Sequence, residues 1–198
     1  MQVSLQFNAF DVQSTLNCKS DYIRVYDGTS KSSPLILDRT CGTGLPPVLV
    51  ASTNRMLVEF VSDDSVAGVG FKASYTTVKC GGTFYTTSRN VTSSNYPKAY
   101  NPNQDCLYLI TAPTSYKVAL KINYFFLEFG SSCQYDYLTI RNGDSESAPY
   151  MGVSEKYCGY RFFDTLVSDG NSMLLKFHSD YSGQATGFSA SYTYVPSS

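Results

Sequence analysis

Apolar and polar residues alternate along several short stretches of this chain: Tyr22-Ile-Arg-Val-Tyr26, Met56-Leu-Val-Glu-Phe-Val61, Lys117-Val-Ala-Leu-Lys-Ile122, Tyr137-Leu-Thr-Ile140, Met173-Leu-Leu-Lys-Phe177 and Phe188-Ser-Ala-Ser-Tyr192. A period of two sends successive side chains to opposite faces, so each stretch is expected to be a half-buried β-strand. Turn residues fall between them, at Asp27-Gly28, Asn142-Gly143 and Ser94-Asn-Tyr-Pro97. No capped segment holds a 3.6-residue period over about ten residues, so no helix is expected. Many short strands with regular turns predict an all-β sandwich or barrel.

The chain also repeats itself. Cys18-Lys-Ser-Asp-Tyr-Ile-Arg-Val-Tyr-Asp-Gly28 matches Cys133-Gln-Tyr-Asp-Tyr-Leu-Thr-Ile-Arg-Asn-Gly143, an offset of 115. Gly70-Phe-Lys-Ala-Ser-Tyr75 matches Gly187-Phe-Ser-Ala-Ser-Tyr192, an offset of 117. One module is therefore written twice, over 1–78 and 79–195, with almost no linker; a joint that short limits movement between the modules. The copies are unequal. Met1 corresponds to Tyr116, so Cys80 to Ser115 has no counterpart in the first copy, which is expected to lack its N-terminal strands. The opening stretch lacks the basic start and apolar block of a signal peptide, and Met1 reads as the start of a fragment or of an unusual isoform.

Six cysteines allow fifteen pairings, and the repeat prunes them. Cys18 and Cys41 are alone in the first copy and should pair; their equivalents, Cys133 and Cys158, should pair too, which leaves Cys80 with Cys106. Each closed loop would contribute roughly 3 kcal/mol by constraining the unfolded chain. No two cysteines stand as close as a C-x-x-C zinc motif requires, so disulfides and an oxidising, extracellular compartment are expected. Asn90-Val91-Thr92 is then a candidate glycan acceptor, within a polar stretch, Thr86 to Ser94, expected to be an exposed loop.

Composition narrows the function. The net charge is −1, which excludes the clustered cations of a nucleic-acid surface, and no apolar run approaches the length that crosses a bilayer. Seventeen Tyr and twelve Phe with no Trp favour pleated strands. His178 is the single histidine and sits in a strand pattern; no zinc-protease, nucleophile-elbow or phosphate-loop motif is present. A chain without catalysis of its own is expected. One constellation remains. Glu128, Asp136 and Asp180 fall at strand ends; if three loops converge, their carboxylates would repel unless solvated or bridged. A calcium ion, which takes six to eight oxygens in irregular geometry, would resolve this with Ser182 nearby.

Cys80-Gly-Gly, Ser94-Asn-Tyr-Pro97, Phe126-Leu-Glu128, Cys133-x-Tyr-Asp-Tyr137, Phe177-x-Ser-Asp180 and Thr186-Gly-Phe188 together resemble the CUB domain, over all of 80–195 and through 1–79 as a CUB lacking its first strands. The resemblance implies two extracellular antiparallel, jelly-roll-like β-sandwiches and a calcium subset whose ligand positions match Glu128, Asp136 and Asp180, with Ser182. In the first module the matching positions are Gln13, Asp21 and Asp63, with Ser65; Gln13 keeps an oxygen but loses a charge, so that site is weaker. In calcium-binding CUB domains a Lys or Arg of the partner protein approaches the ligating acids, and Tyr135 and Tyr181 would add contact area here, while Tyr137 packs in its strand. The uncovered first module could also make a homo-oligomer. Two other functions stay open. The Val78-Lys-Cys-Gly-Gly82 junction is similar to that of astacin-like hatching enzymes, which would make the pair the non-catalytic tail of a secreted metalloprotease. The aromatic surface would also suit a carbohydrate-binding reproductive-tract or egg-coat protein.

Overall fold

The structure is a computed structural model that describes residues 1–85 and 89–197. The chain divides into two units, Met1–Val78 and Lys79–Ser198, each a pair of facing sheets. In the first unit, β1 (Gln2–Asp11), β4 (Leu49–Val50) and β6 (Gly70–Val78) form one sheet in the order β4-β1-β6. β2 (Tyr22–Tyr26), β3 (Leu35–Thr40) and β5 (Leu57–Val61) form the other in the order β3-β2-β5. Alternation sends Leu5, Phe7, Phe10, Ile23 and Val25 inward to a shared core.

The second unit begins with β7 (Cys80–Phe84), β8 (Arg89–Thr92) and β9 (Gln104–Thr111). β10 (Tyr116–Leu127), β11 (Tyr137–Arg141), β12 (Gly159–Tyr160), β13 (Leu166–Val167), β14 (Ser172–Ser179) and β15 (Gly187–Pro196) follow. One sheet runs β12-β10-β15-β8, with β13 also on β10; the other runs β11-β14-β9-β7. Pairings are antiparallel except that β7 lies parallel to β9. Phe177, Phe188, Ile110, Leu120 and Leu138 are wholly buried between the sheets. The only helical elements among the described residues are two 3-10 turns, Leu16–Cys18 and Ser131–Cys133.

The repeat extends to irregularities. β1 and β6 slip register between Phe7 and Ala9, and β10 and β15 between Ile122 and Tyr124. The extra residue is an asparagine in both, and its amide reaches a serine hydroxyl on the neighbouring strand at 3.2 Å, Asn8 to Ser74 and Asn123 to Ser191. Bulges of this kind sharpen local twist and bend the long strand over the core.

Two sequence expectations change. Thr86 to Ser94 is not a loop throughout: Arg89–Thr92 is a strand, because Val91 drives its side chain into the core against β15 and fixes the alternation around it. Asn90 is exposed on that strand, and Thr86–Ser88 lie outside the described residues. The second correction is β9, which the alternation test passes over. Cys106 through Ile110 are buried without interruption, so no polar face marks it as a strand.

Candidate acidic metal site

Three strand ends meet in the second unit. Glu128 follows β10 directly, Asp136 precedes β11, and Asp180 follows β14. Each offers a carboxylate oxygen within 4.8 Å of the others. Asp136 is delivered by the turn before it: Ser132 and Cys133 both adopt positive φ, 54° and 48°, and the Cys133–Cys158 disulfide ties that turn to the end of the sheet. The chain thereby reverses into β11 with the Asp136 side chain pointing inward, wholly buried.

Asp136 is well supplied with donors. The Tyr100 hydroxyl donates to its Oδ2, and the Asp180 backbone N–H donates to its Oδ1 at 2.8 Å. The same Tyr100 hydroxyl accepts the Glu128 N–H at 3.0 Å, so one buried phenol pins two acidic residues. Asp180 in turn accepts the Ser182 N–H at 3.0 Å. Gly183 stands where a Cβ would come within 2.0 Å of Glu128 Oε1, at φ +77°; a glycine lets this loop close over Glu128.

Glu128 is the exception. Its Oε2 is buried with no hydrogen-bond partner, and burial, then the charges of Asp136 and Asp180, push its carboxyl above the ordinary range. Burial also raises Asp136, against the downward pull of Tyr100 and the Asp180 N–H. An unsatisfied buried carboxylate is costly. Three converging acids with one orphaned oxygen form an all-oxygen donor set that suits a hard divalent cation of calcium's size and charge.

The first unit carries a partial copy. Asp63 N–H donates to Asp21 Oδ1 at 3.0 Å, as Asp180 does to Asp136. Ser65 bonds Asp63 Oδ1 through its N–H at 2.9 Å and its hydroxyl at 2.6 Å, and these bonds hold the Asp63 carboxyl below its usual range. Gln13 Oε1 is buried and unpartnered, in the same predicament as Glu128 Oε2. Two features differ: Gln13 lacks a charge, and Val66 stands where Gly183 stands.

The remaining predicted residues fall as follows. Tyr135 and Tyr181 are exposed, next in sequence to Asp136 and Asp180. Tyr137 is half-buried, stacked on His178 with centroids 5.0 Å apart and capped by the Lys156 ammonium at 4.0 Å. His178 Nδ1 lies 2.8 Å from Asp105. The structure joins Cys18 to Cys41, Cys80 to Cys106 and Cys133 to Cys158. Tyr100 and Gly183 went unnoticed in the sequence. Comparing the copies could have flagged Gly183 against Val66, whereas Tyr100 lies in a stretch with no counterpart among residues 1–78.

The family description "CUB domain" matches residues 1–75 and 80–192. The chain is 52% identical over 195 residues to Embryonic protein UVS.2 of Xenopus laevis, covering 98% of this chain and 37% of that protein. It is 38% identical over 191 residues to Tolloid-like protein 1 of Homo sapiens, covering 96% of this chain and 18% of that one. This chain therefore spans well under half the length of these relatives. Among solved structures, the full extracellular region of zebrafish Gpr126/Adgrg6 superposes with a TM-score of 0.52 at 34% identity, over 59% of this chain and 15% of that one. The CUB1-EGF-CUB2 region of human MASP-1/3 superposes with a TM-score of 0.53 over 98% of this chain and 88% of that one, at 23% identity, a likeness of fold.

Proposed function

The chain belongs to the CUB domain family of non-catalytic extracellular interaction modules, and from that premise we propose that its second unit is a calcium-dependent docking site for a basic side chain of an extracellular protein. The observation that carries this is the buried, unpartnered Glu128 Oε2 beside two further carboxylates. Glu128, Asp136 and Asp180, with Ser182, would hold the ion. Bound there, calcium would offset the mutual repulsion of three acids and stiffen the loops that carry them. A Lys or Arg of the partner would approach the carboxylate lone pairs left free, a charge-assisted contact. The exposed rings of Tyr135 and Tyr181 lie beside those acids and would add apolar area. Gln13, Asp21, Asp63 and Ser65 would make a weaker site in the first unit. Asn90, exposed on β8, would accept a glycan, which a mass decrease on enzymatic deglycosylation of the secreted protein would reveal.

A second reading concerns context. The relatives are far longer than this chain, which favours the pair as the targeting portion of a larger secreted protein, the metalloprotease-tail alternative among them; the transcript upstream of Met1 decides this.

The binding test uses the full chain. Calorimetric titration with calcium should give a dissociation constant of roughly 10⁻⁴–10⁻³ M, the range of extracellular modules. Lysine-bearing peptides should be retained by the immobilised chain in calcium and released by EDTA, and Asp136→Ala should abolish retention. If millimolar calcium evolves no heat, the three carboxylates are simply solvated and the assignment fails.

A further inference from the structure

One face of the second unit combines an attachment point with an apolar surface. In β8, β15 and β10 the side chains of Val91, Ala190 and Phe125 turn inward and are buried. Alternation therefore puts Asn90, Thr92, Ser189, Ser191, Tyr124 and Phe126 together on the outer face of that sheet. Register fixes their spacing. Asn90 lies opposite Ser191, and Ser191 opposite Lys121; Thr92 lies opposite Ser189, and Ser189 opposite Tyr124; Phe126 lies opposite Tyr160. Asn90 is exposed on β8, next to β15, about 10 Å from β10 across two strand spacings. Ser189 and Ser191 stand between, with short hydroxyl side chains, and the Asn123 amide holds the Ser191 hydroxyl at 3.2 Å.

The β10 side of this face is aromatic. Ring centroids run from Tyr96 to Tyr124 at 5.8 Å, from Tyr124 to Tyr160 at 6.2 Å, and from Tyr160 to Phe126 at 6.0 Å and to Phe162 at 5.2 Å. Phe126, Tyr160 and Phe162 are 39%, 59% and 87% exposed. A continuous run of exposed rings marks a surface that something covers. Sugar rings carry apolar faces whose slightly positive C–H groups suit the negative face of an aromatic ring, while their hydroxyls stay in water. A glycan linked at Asn90 would be held at high effective concentration over these rings, so weak stacking suffices to seat it. A soluble occupant has no such advantage.

On the reading of Asn90 as a glycan acceptor, we propose that the Asn90-linked glycan lies down across β15 and seats its sugar rings on the Tyr124, Tyr160 and Phe162 aromatics. The hydroxyls of Ser189 and Ser191 bond its first sugars, and the aromatic rings hold its outer ones. The glycan is then a fixed cover on this sheet face, and a protein partner meets the second unit at its acidic strand ends instead.

The test uses the full chain secreted from a eukaryotic host, with the intact mass first establishing whether Asn90 is occupied. Hydroxyl-radical footprinting then compares the glycosylated chain with the same chain trimmed by endoglycosidase to a single sugar. Oxidation of Tyr124, Tyr160 and Phe162 should be about half as great with the full glycan, because a seated sugar shields one of the two faces of a ring. Tyr135 and Tyr181, exposed beside the acidic residues, should oxidise equally in both. Endoglycosidase should also trim the Phe162→Ser chain about two- to tenfold faster than the unaltered one, the factor that corresponds to losing one aromatic contact. Absence of a glycan in the secreted chain overturns the Asn90 reading and the proposal together. A glycan that is present but leaves the three rings equally oxidised, or is trimmed at the same rate from the Phe162→Ser chain, overturns the proposal alone and leaves Asn90 as an acceptor.

Discussion

Glu128→Gln should make the calcium-free protein more stable and calcium less able to stabilise it. The change is isosteric and keeps one carbonyl oxygen, so packing beside Gly183 is preserved; only the charge goes. With carboxylate oxygens within 4.8 Å, each pair of full charges repels by about 1–3 kcal/mol between water-like and surface-like dielectric. Solvent at the half-exposed Glu128 and Asp180, and the two donors on Asp136, screen part of this. A net gain of about 1–3 kcal/mol in EDTA is expected, read as a rise of roughly 3–10 °C in the melting of the second unit. Calcium at ten times its dissociation constant should stabilise the unaltered unit by about 1.4 kcal/mol, and most of that increment should vanish in the variant, whose neutral amide cannot be bidentate. Differential scanning calorimetry of both proteins, with calcium and with EDTA, gives all four values. A variant that is less stable in EDTA yet keeps its full calcium increment would refute the claim that these acids repel one another and await a cation.

The pH dependence in EDTA should run opposite to ordinary acid denaturation near the site. Burial foremost, with neighbouring charge, raises Glu128 and Asp136 above their ordinary values of 4.5 and 3.8; the folded state then binds more protons than the unfolded one, so stability from these groups is complete below the ordinary values and is lost as pH rises through the raised ones. Melting temperature in EDTA should therefore rise on acidifying from neutral pH toward the ordinary carboxylate values, and the doubly substituted Glu128→Gln, Asp136→Asn protein should show no such rise; a monotonic fall in the unaltered protein argues against it. Tyr100→Phe, at a residue 2% exposed, removes the donor to Asp136 and leaves the Glu128 N–H unpaired, and should cost about 2–4 kcal/mol in urea unfolding with all disulfides intact; a loss under about 0.5 kcal/mol would mean that the phenol does not organise the site.

Much of this architecture was legible because it obeys local rules. Strands whose apolar and polar residues alternate, such as Tyr22–Tyr26 and Tyr137–Arg141, announce themselves by that period, and the three acids were found because each falls beside a strand end that the repeat marks twice. What escaped obeys non-local rules. β9 is buried on both faces, so its run of Cys106 to Ile110 carries no period. β12 and β13 are two residues each, too short for any pattern, and exist only because β10 offers them an edge. Arg89–Thr92 reads as a polar loop until its partner β15 is known.

Tyr100 ties the core of the second unit to its acidic site. In the second unit the covering segment does two jobs at once: it seals Phe177 and Phe188, and through a single hydroxyl it orients both Asp136 and the backbone of Glu128. Core sealing and site geometry are therefore coupled there. In the first unit Gln13 is one departure from that site, and Val66 another, since a β-branched residue is strained at the positive φ that Gly183 uses to close over its glutamate. Restoring the charge by Gln13→Glu would add a carboxylate to a cradle that still lacks its closing loop, so the substitution alone should destabilise the first unit without conferring calcium binding.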